Sequence, residues 1–237
     1  YSFGLDETQE RFAYLPRTGT QAPYETCLHV FELATGKDEK IVCDRPELTF
    51  TWGIPRFSPD GKAVFFSAMI DGDRRRGQLV KVRLGEAKVV PVTDAKVTRR
   101  APALLEGWRD GQAYFLANDD GHWNVYGYRL ANDEVRQLTR FDEDVTSAEV
   151  TDAGIVAVHR SPKGSTLVLI DPETGATSSE RRMPGTADVL AAHGTRAFVV
   201  HESPDIVFEA YHADLSAALA LEKAVGLEPE REREVVA

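Results

Sequence analysis

The chain has 237 residues, 42% hydrophobic and 28% charged, a balance that excludes a disordered chain and fits a folded domain large enough to bury a sizeable core. Its 28 Lys and Arg stand against 38 Asp and Glu, a net charge of −10, which disfavours a phosphate backbone and removes nucleic acid from the expected partners. No apolar run approaches the ~18 residues that cross a bilayer, so no membrane span is expected.

The chain reads as short apolar strands between turn signals. A first unit, from Tyr1 to about Arg45, has strands near 2–5, 11–15, 27–33 and 40–43. A second follows Trp52-Gly53, with strands near 55–57, 63–68, 78–84 and 88–93 and a turn at Ser58-Pro59-Asp60-Gly61, where Pro and Gly supply the dihedrals a turn demands. The third runs from about Arg100 to Arg140, the fourth from about Val145 to Arg182 with a hairpin at Asp171-Pro172-Glu173-Thr174-Gly175, and the fifth from about Ala187 to Gly226. In the last, the slot for a fourth strand holds Ser216 to Val225, rich in helix formers, with Ser216 as an N-cap and Gly226 as a stop; a helix is expected there. Within residues 227–237, Glu228-Pro-Glu-Arg-Glu-Arg-Glu234 alternates charges without an apolar face, and the segment reads as a tail or linker.

Five repeats of short strands at a period of about 40–50 residues are the pattern of a β-propeller. The expected class is therefore all-β, with four-stranded antiparallel blades over about residues 1–45, 53–94, 100–140, 145–182 and 187–226. Five blades lie near the low end of what closes into a ring, so a fragment of a larger ring also fits.

Cys27 and Cys43 flank the hairpin turn Ala34-Thr35-Gly36-Lys37. If Leu33 pairs with Lys37, a regular register places the two cysteines opposite each other, within reach of a cross-strand disulfide. Two reduced, half-buried cysteines are the other reading, because the spacing matches neither a metal motif nor a dense disulfide framework. The compartment stays open: cytoplasmic is favoured, periplasmic or secreted if the chain is processed at Tyr1.

Phe57-Ser-Pro-Asp-Gly-Lys62, the run from Phe115 to Tyr126, Arg136-Gln-Leu-Thr139, His201-Glu-Ser-Pro204 and Phe208-Glu-Ala-Tyr211 together resemble the propeller of prolyl-oligopeptidase-type serine peptidases, of the acylaminoacyl-peptidase and dipeptidyl-peptidase branch. The turn motif is shared with the Tol-system propeller protein and tricorn-type proteases. The resemblance implies a noncatalytic gate that admits peptides to a separate α/β-hydrolase domain. The chain itself contains no Gly-x-Ser-x-Gly pentapeptide, the strained turn that presents such an enzyme's serine, and no His-Glu-x-x-His, phosphate-cradling loop or Cys-x-x-Cys. No catalytic residue, metal or cofactor is therefore assigned. The expected partner is a peptide substrate reached through the hydrolase domain; the alternative is a freestanding Tol-type propeller that scaffolds proteins.

Blade connectivity sorts the loops onto two faces. Asp6, Glu7, Asp60, Asp110, Asp133, Glu134, Asp152 and Asp171 fall on one, mostly as turn formers that bond local backbone. The other collects Arg17, the insertion 71–77, Arg99-Arg100, the turn 118–123, the acidic run 142–144 and the segment 201–205. There, Arg74, Arg75, Arg76, Arg99 and Arg100 could hold a peptide carboxylate or carbonyl through bidentate donors, and Glu202 belongs to an acidic sector suited to an amino terminus. The favoured reading of the three consecutive arginines is a solvated loop on an acidic surface. Trp52, Trp108 and Trp123 read as structural packing near strand ends, and His122 beside Asp119 and Asp120 is a weak metal signal.

Overall fold

Period-two alternation dominates the chain, and the structure turns it into strands throughout. A computed structural model describes residues 3–18, 25–51, 53–71, 73–86, 88–93 and 103–227; among these no helix occurs and five antiparallel sheets form. The chain divides into two compact units, Tyr1–Gln137 and Leu138–Ala237.

The first unit holds three sheets. Sheet 1 comprises β1 (Phe3–Leu5), β2 (Arg11–Tyr14), β3 (Arg17–Thr18), β4 (Glu25–Glu32) and β5 (Asp38–Cys43), in the order β1-β2-β4-β3 with β5 beside β4. Sheet 2 comprises β6 (Leu48–Phe50), β7 (Arg56–Phe57), β8 (Ala63–Ile70), β9 (Asp73–Arg83) and β10 (Val89–Pro91). Its first strand is broken: β6 and β7 pair with opposite ends of β8, so the sheet starts at Leu48, before the expected Trp52-Gly53. Sheet 3 is a meander of β11 (Ala103–Arg109), β12 (Gln112–Ala117), β13 (Asn124–Arg129) and β14 (Glu134–Gln137).

Alternation decides which face of each sheet is buried. In sheet 1, Ala13, Leu28 and Val30 point into a core shared with Phe50, Phe57, Val64 and Phe66 of sheet 2. The other face of sheet 2 sends Phe65 and Leu79 into a second core with Phe115, Tyr126 and Tyr128 of sheet 3. Gly4 is required by a close approach, since a Cβ there would sit 1.9 Å from the Pro55 carbonyl oxygen. The face of sheet 1 turned away from sheet 2 is aromatic. Phe12 meets Phe3, Tyr14 and Phe31 with ring centroids 5.0–5.7 Å apart, and Phe3 and Leu5 remain 54% and 44% exposed.

The second unit holds two four-stranded meanders. Sheet 4 is β15 (Asp144–Thr151), β16 (Gly154–Ser161), β17 (Gly164–Ile170) and β18 (Thr177–Met183); sheet 5 is β19 (Thr186–His193), β20 (Arg196–Ser203), β21 (Ile206–Asp214) and β22 (Ala220–Leu227). Val156, Val158, Leu167 and Leu169 of sheet 4 pack with Val189, Val199, Ala213 and Leu219 of sheet 5. Gly175 lies at φ +76°, and a Cβ on it would meet the Leu138 carbonyl oxygen at 2.0 Å; only glycine suits both constraints.

The expected helix over 216–225 is not formed: Ala220–Leu227 is β22, paired along β21 from Ala220↔Asp214 to Leu227↔Phe208. Ser216 does not cap a helix. Its own N–H and hydroxyl donate to the Asp214 carboxylate at 2.9 and 2.7 Å, an Asx-type turn. Ala218 and Leu219 then adopt φ of 51° and 61°, which ends any helical run. Leu219 is buried and Leu221 packs on the same core, so period-two burial and an available ladder override intrinsic propensity.

Within the insertion 71–77, residues 73–77 belong to strand β9. The β8–β9 hairpin extends through Met69↔Gly77 to Ile70↔Asp73 with a register shift, and Asp71 turns the chain at φ 52°.

Candidate functional site

A cleft of about 630 Å³ opens at the first-turn end of the three sheets in the first unit. Phe3 and Leu5 of β1, Phe57 at the end of β7 and Trp108 of β11 give it apolar walls; Glu7, Arg56 and Asp110 add charge at its rim. Two side chains hold these walls in register. Arg11 on β2 donates from Nε to the Asp6 carboxylate at 2.9 Å and from Nη2 to the Gly61 carbonyl at 3.0 Å, while its guanidinium lies 5.2 Å from the Phe57 ring centroid. Trp108 donates its indole N–H to the Phe57 carbonyl at 2.7 Å and packs edge-on against Phe65. Sheets 1, 2 and 3 are thus tied by hydrogen bonds at this end.

Asp6 is the anchor of the first turn. Burial opposes its ionisation, but N–H groups of Glu10 and Arg11, the Arg11 guanidinium and the Thr8 hydroxyl outweigh that and hold the carboxyl below its ordinary value. Ser58 Oγ donates to Asp60 at 2.6 Å and accepts the Ala63 N–H at 3.0 Å, so it is engaged in its turn. The described lining residues include no His, Cys or Lys.

Two Lys–Tyr–carboxylate clusters lie elsewhere. Lys81 on β9 donates to Tyr128 Oη at 2.8 Å and Asp133 Oδ1 at 2.5 Å, and Tyr128 also donates to Asp133. Burial alone would lower the Lys81 ammonium, yet these two bonds hold it above its ordinary value; Lys81 and then Tyr128 hold Asp133 below its own. In the second unit, Glu209 accepts Lys223 Nζ at 2.5 Å and the Tyr211 hydroxyl, which keeps the carboxyl below its ordinary value. His201, 4% exposed, donates from Nε2 to the Pro184 carbonyl and turns Nδ1 toward Glu209 at 3.8 Å.

The sequence-derived candidates are not gathered in this cleft. Arg74, Arg75 and Arg76 belong to β9 beside the tip of its hairpin, and Arg99 and Arg100 lie outside the described residues, as do Trp52 and the tail 228–237. Glu202, exposed, pairs with Thr186 near the end of β20. Asp60 and Asp171 bond backbone N–H groups of their own turns. Cys27 and Cys43 are direct partners in the β4–β5 ladder and form a disulfide with Cα atoms 3.9 Å apart. Sequence reading missed the cleft because Arg11–Gly61 and Trp108–Phe57 are bonds between distant turns. The only local trace was an aromatic or arginine placed at a strand end.

No family model matches the chain, and no curated protein matches it. Solved structures do. A prolyl endopeptidase, from a study titled as a structural and mechanistic analysis of two such enzymes, superposes with a TM-score of 0.74 at 15% identity, over 97% of this chain and 36% of that one. A Mycobacterium tuberculosis puromycin-hydrolyzing peptidase matches with a TM-score of 0.71 at 15% identity, over 97% of this chain and 38% of that one. TolB from Acinetobacter baumannii matches with a TM-score of 0.60 at 18% identity, over 96% of this chain and 55% of that one. The chain therefore has the β-propeller fold of the propeller regions of prolyl-oligopeptidase-type peptidases. It spans about a third of the length of the peptidases it resembles.

Proposed function

We propose that this chain is the noncatalytic propeller part of a prolyl-oligopeptidase-like serine peptidase, and that it restricts and orients peptides on their way to a hydrolase domain. The observation that carries the reading is the likeness to a prolyl endopeptidase over 97% of this chain and 36% of that one. The missing Gly-x-Ser-x-Gly supports a division of labour in which the nucleophile belongs to the remaining polypeptide. Residues 1–226 form the propeller part in this reading, and 227–237 a charged linker. Arg74, Arg75 and Arg76, with Arg99 and Arg100, take peptide carboxylates or carbonyls, and Glu202 takes an amino terminus. The 55% coverage of TolB favours a second reading, a freestanding propeller that binds proteins.

The deciding experiment is the intact mass of the native gene product together with a fluorophosphonate serine probe. A species much heavier than 26.2 kDa that reacts with the probe is expected. A species of about this mass that ignores the probe overturns the peptidase reading in favour of the second. Charge reversal at Arg74 to Arg76 is expected to raise KM for peptides in the parent enzyme; unchanged kinetics would remove these residues from the proposal.

A further inference from the structure

The ladder of sheet 1 brings together three groups that sequence spacing keeps apart. Residues two apart on a strand share a face, so Glu25 and Cys27 project from the same side of β4. Cys43, on the neighbouring strand, is the direct partner of Cys27. A carboxylate oxygen of Glu25 and both sulfur atoms lie within 4.8 Å of one another. On its other edge β4 pairs with β3, Glu25 opposite Thr18, so the backbone of the trio is held from both sides. Cys27 is buried and Glu25 exposed, which gives the group a closed inner side and an open outer one.

We propose that, once reduced, Glu25, Cys27 and Cys43 bind a thiophilic divalent cation of the zinc class, and that the disulfide is the oxidised, metal-free state of the same site. Two thiolates and a carboxylate are ligands that zinc takes at roughly 2.3 Å and 2.0–2.2 Å, with a fourth, open position for water. Their combined charge of −3 exceeds the +2 of the ion, which favours capture. Two sulfurs on a tetrahedral ion stand about 3.8 Å apart at those bond lengths, a separation that facing side chains reach by rotating about χ1 when the sulfur–sulfur bond opens. Neighbouring donors are already engaged: His29 Nδ1 with Asp38 at 3.1 Å, and Asp44 with the Phe50 N–H at 2.7 Å. The step balances. An external dithiol supplies two electrons and two protons, is itself oxidised to a disulfide, and leaves two cysteine thiols; the cation then displaces both thiol protons to solvent. This inference is independent of the peptidase reading.

The test uses the full chain, reduced with a phosphine and desalted anaerobically, titrated with cobalt(II) as a spectroscopic stand-in for zinc. The reduced protein is expected to take up one equivalent with sulfur-to-cobalt charge-transfer absorption in the near ultraviolet, and the oxidised protein to show none. Cys43→Ser should remove most of that absorption. Glu25→Gln, at an exposed position, should keep the β-sheet circular dichroism and the absorption yet weaken binding by at least about ten-fold. A reduced chain that loses its sheet spectrum, equal uptake by the oxidised protein, absent charge transfer, or Glu25→Gln titrating like wild type would each overturn the proposal.

Discussion

The two Lys–Tyr–carboxylate clusters contain the same chemical groups and invert their burial. In the first unit the cation is inside: the Lys81 side chain is 8% exposed and Asp133 67%. In the second the anion is inside: Glu209 is 11% exposed and Lys223 49%. The tyrosines differ too, since Tyr128 packs with Phe65 at 5.6 Å between ring centroids, whereas Tyr211 lies 6.4 Å from the His201 ring. An ion pair therefore has a direction. The buried member depends on the exposed one for its solvation, and the exposed member has water as a substitute.

Substitutions can break this comparison at decreasing cost. Phe65→Ala empties the packing that holds Tyr128 and is expected to destabilise by about 4 kcal/mol, read as a lowered denaturant midpoint. Asp133→Asn keeps a residue tolerant of its φ of 57° and removes only the charge; Lys81 stays bonded to Tyr128 but loses its anionic partner, which should cost about 2 kcal/mol. Lys81→Met, which leaves Asp133 to Tyr128 and water, should stay within about 1 kcal/mol of wild type. Equal costs for these two would abolish the asymmetry. In the second cluster the order should reverse, with Lys223→Gln lowering the melting temperature more than Glu209→Gln.

The pH dependence sharpens the same contrast. Asp133 titrates below its ordinary 3.8 in the folded chain, so its contribution is present above that value and is lost as pH falls through the lower folded one. Lys81 titrates above its ordinary 10.5, so its contribution is present below 10.5 and is lost as pH rises past the folded value. The stability gap between wild type and Asp133→Asn should therefore be flat across neutral pH and close at the acid end. A gap that opens and closes near pH 7 would contradict the pairing.

Much of this fold was legible in local pattern. The turns at Ser58–Gly61 and Asp171–Gly175 and the strand alternation placed the sheets, and the expected facing of Cys27 and Cys43 is found. The expected Leu33–Lys37 pairing is off by one, since Glu32 donates its N–H to the Lys37 carbonyl and His29 pairs with Lys40; the shift between Leu28 and His29 restores the expected alignment at the cysteines. The segment 216–225 failed for the opposite reason. Helix propensity is a per-residue quantity, while the free edge of β21 that captures Ala220–Leu227 is a tertiary fact. The candidate cleft was opaque in the same way: Arg11 and Trp108 could be read as packing residues, but not as the ties that reach Gly61 and Phe57.

The aromatic face of sheet 1 has a colloidal consequence. With Phe3, Leu5 and Leu33 at 54%, 44% and 53% exposure, and β1 the terminal strand of its sheet among the described residues, the chain carries an adhesive apolar surface. The −10 net charge keeps copies apart at low salt, and added salt screens that repulsion over about 10 Å at 0.1 M. Concentrating the isolated chain in salt should therefore favour self-association through this face, and sedimentation velocity across a salt series would register it as a rising weight-average mass.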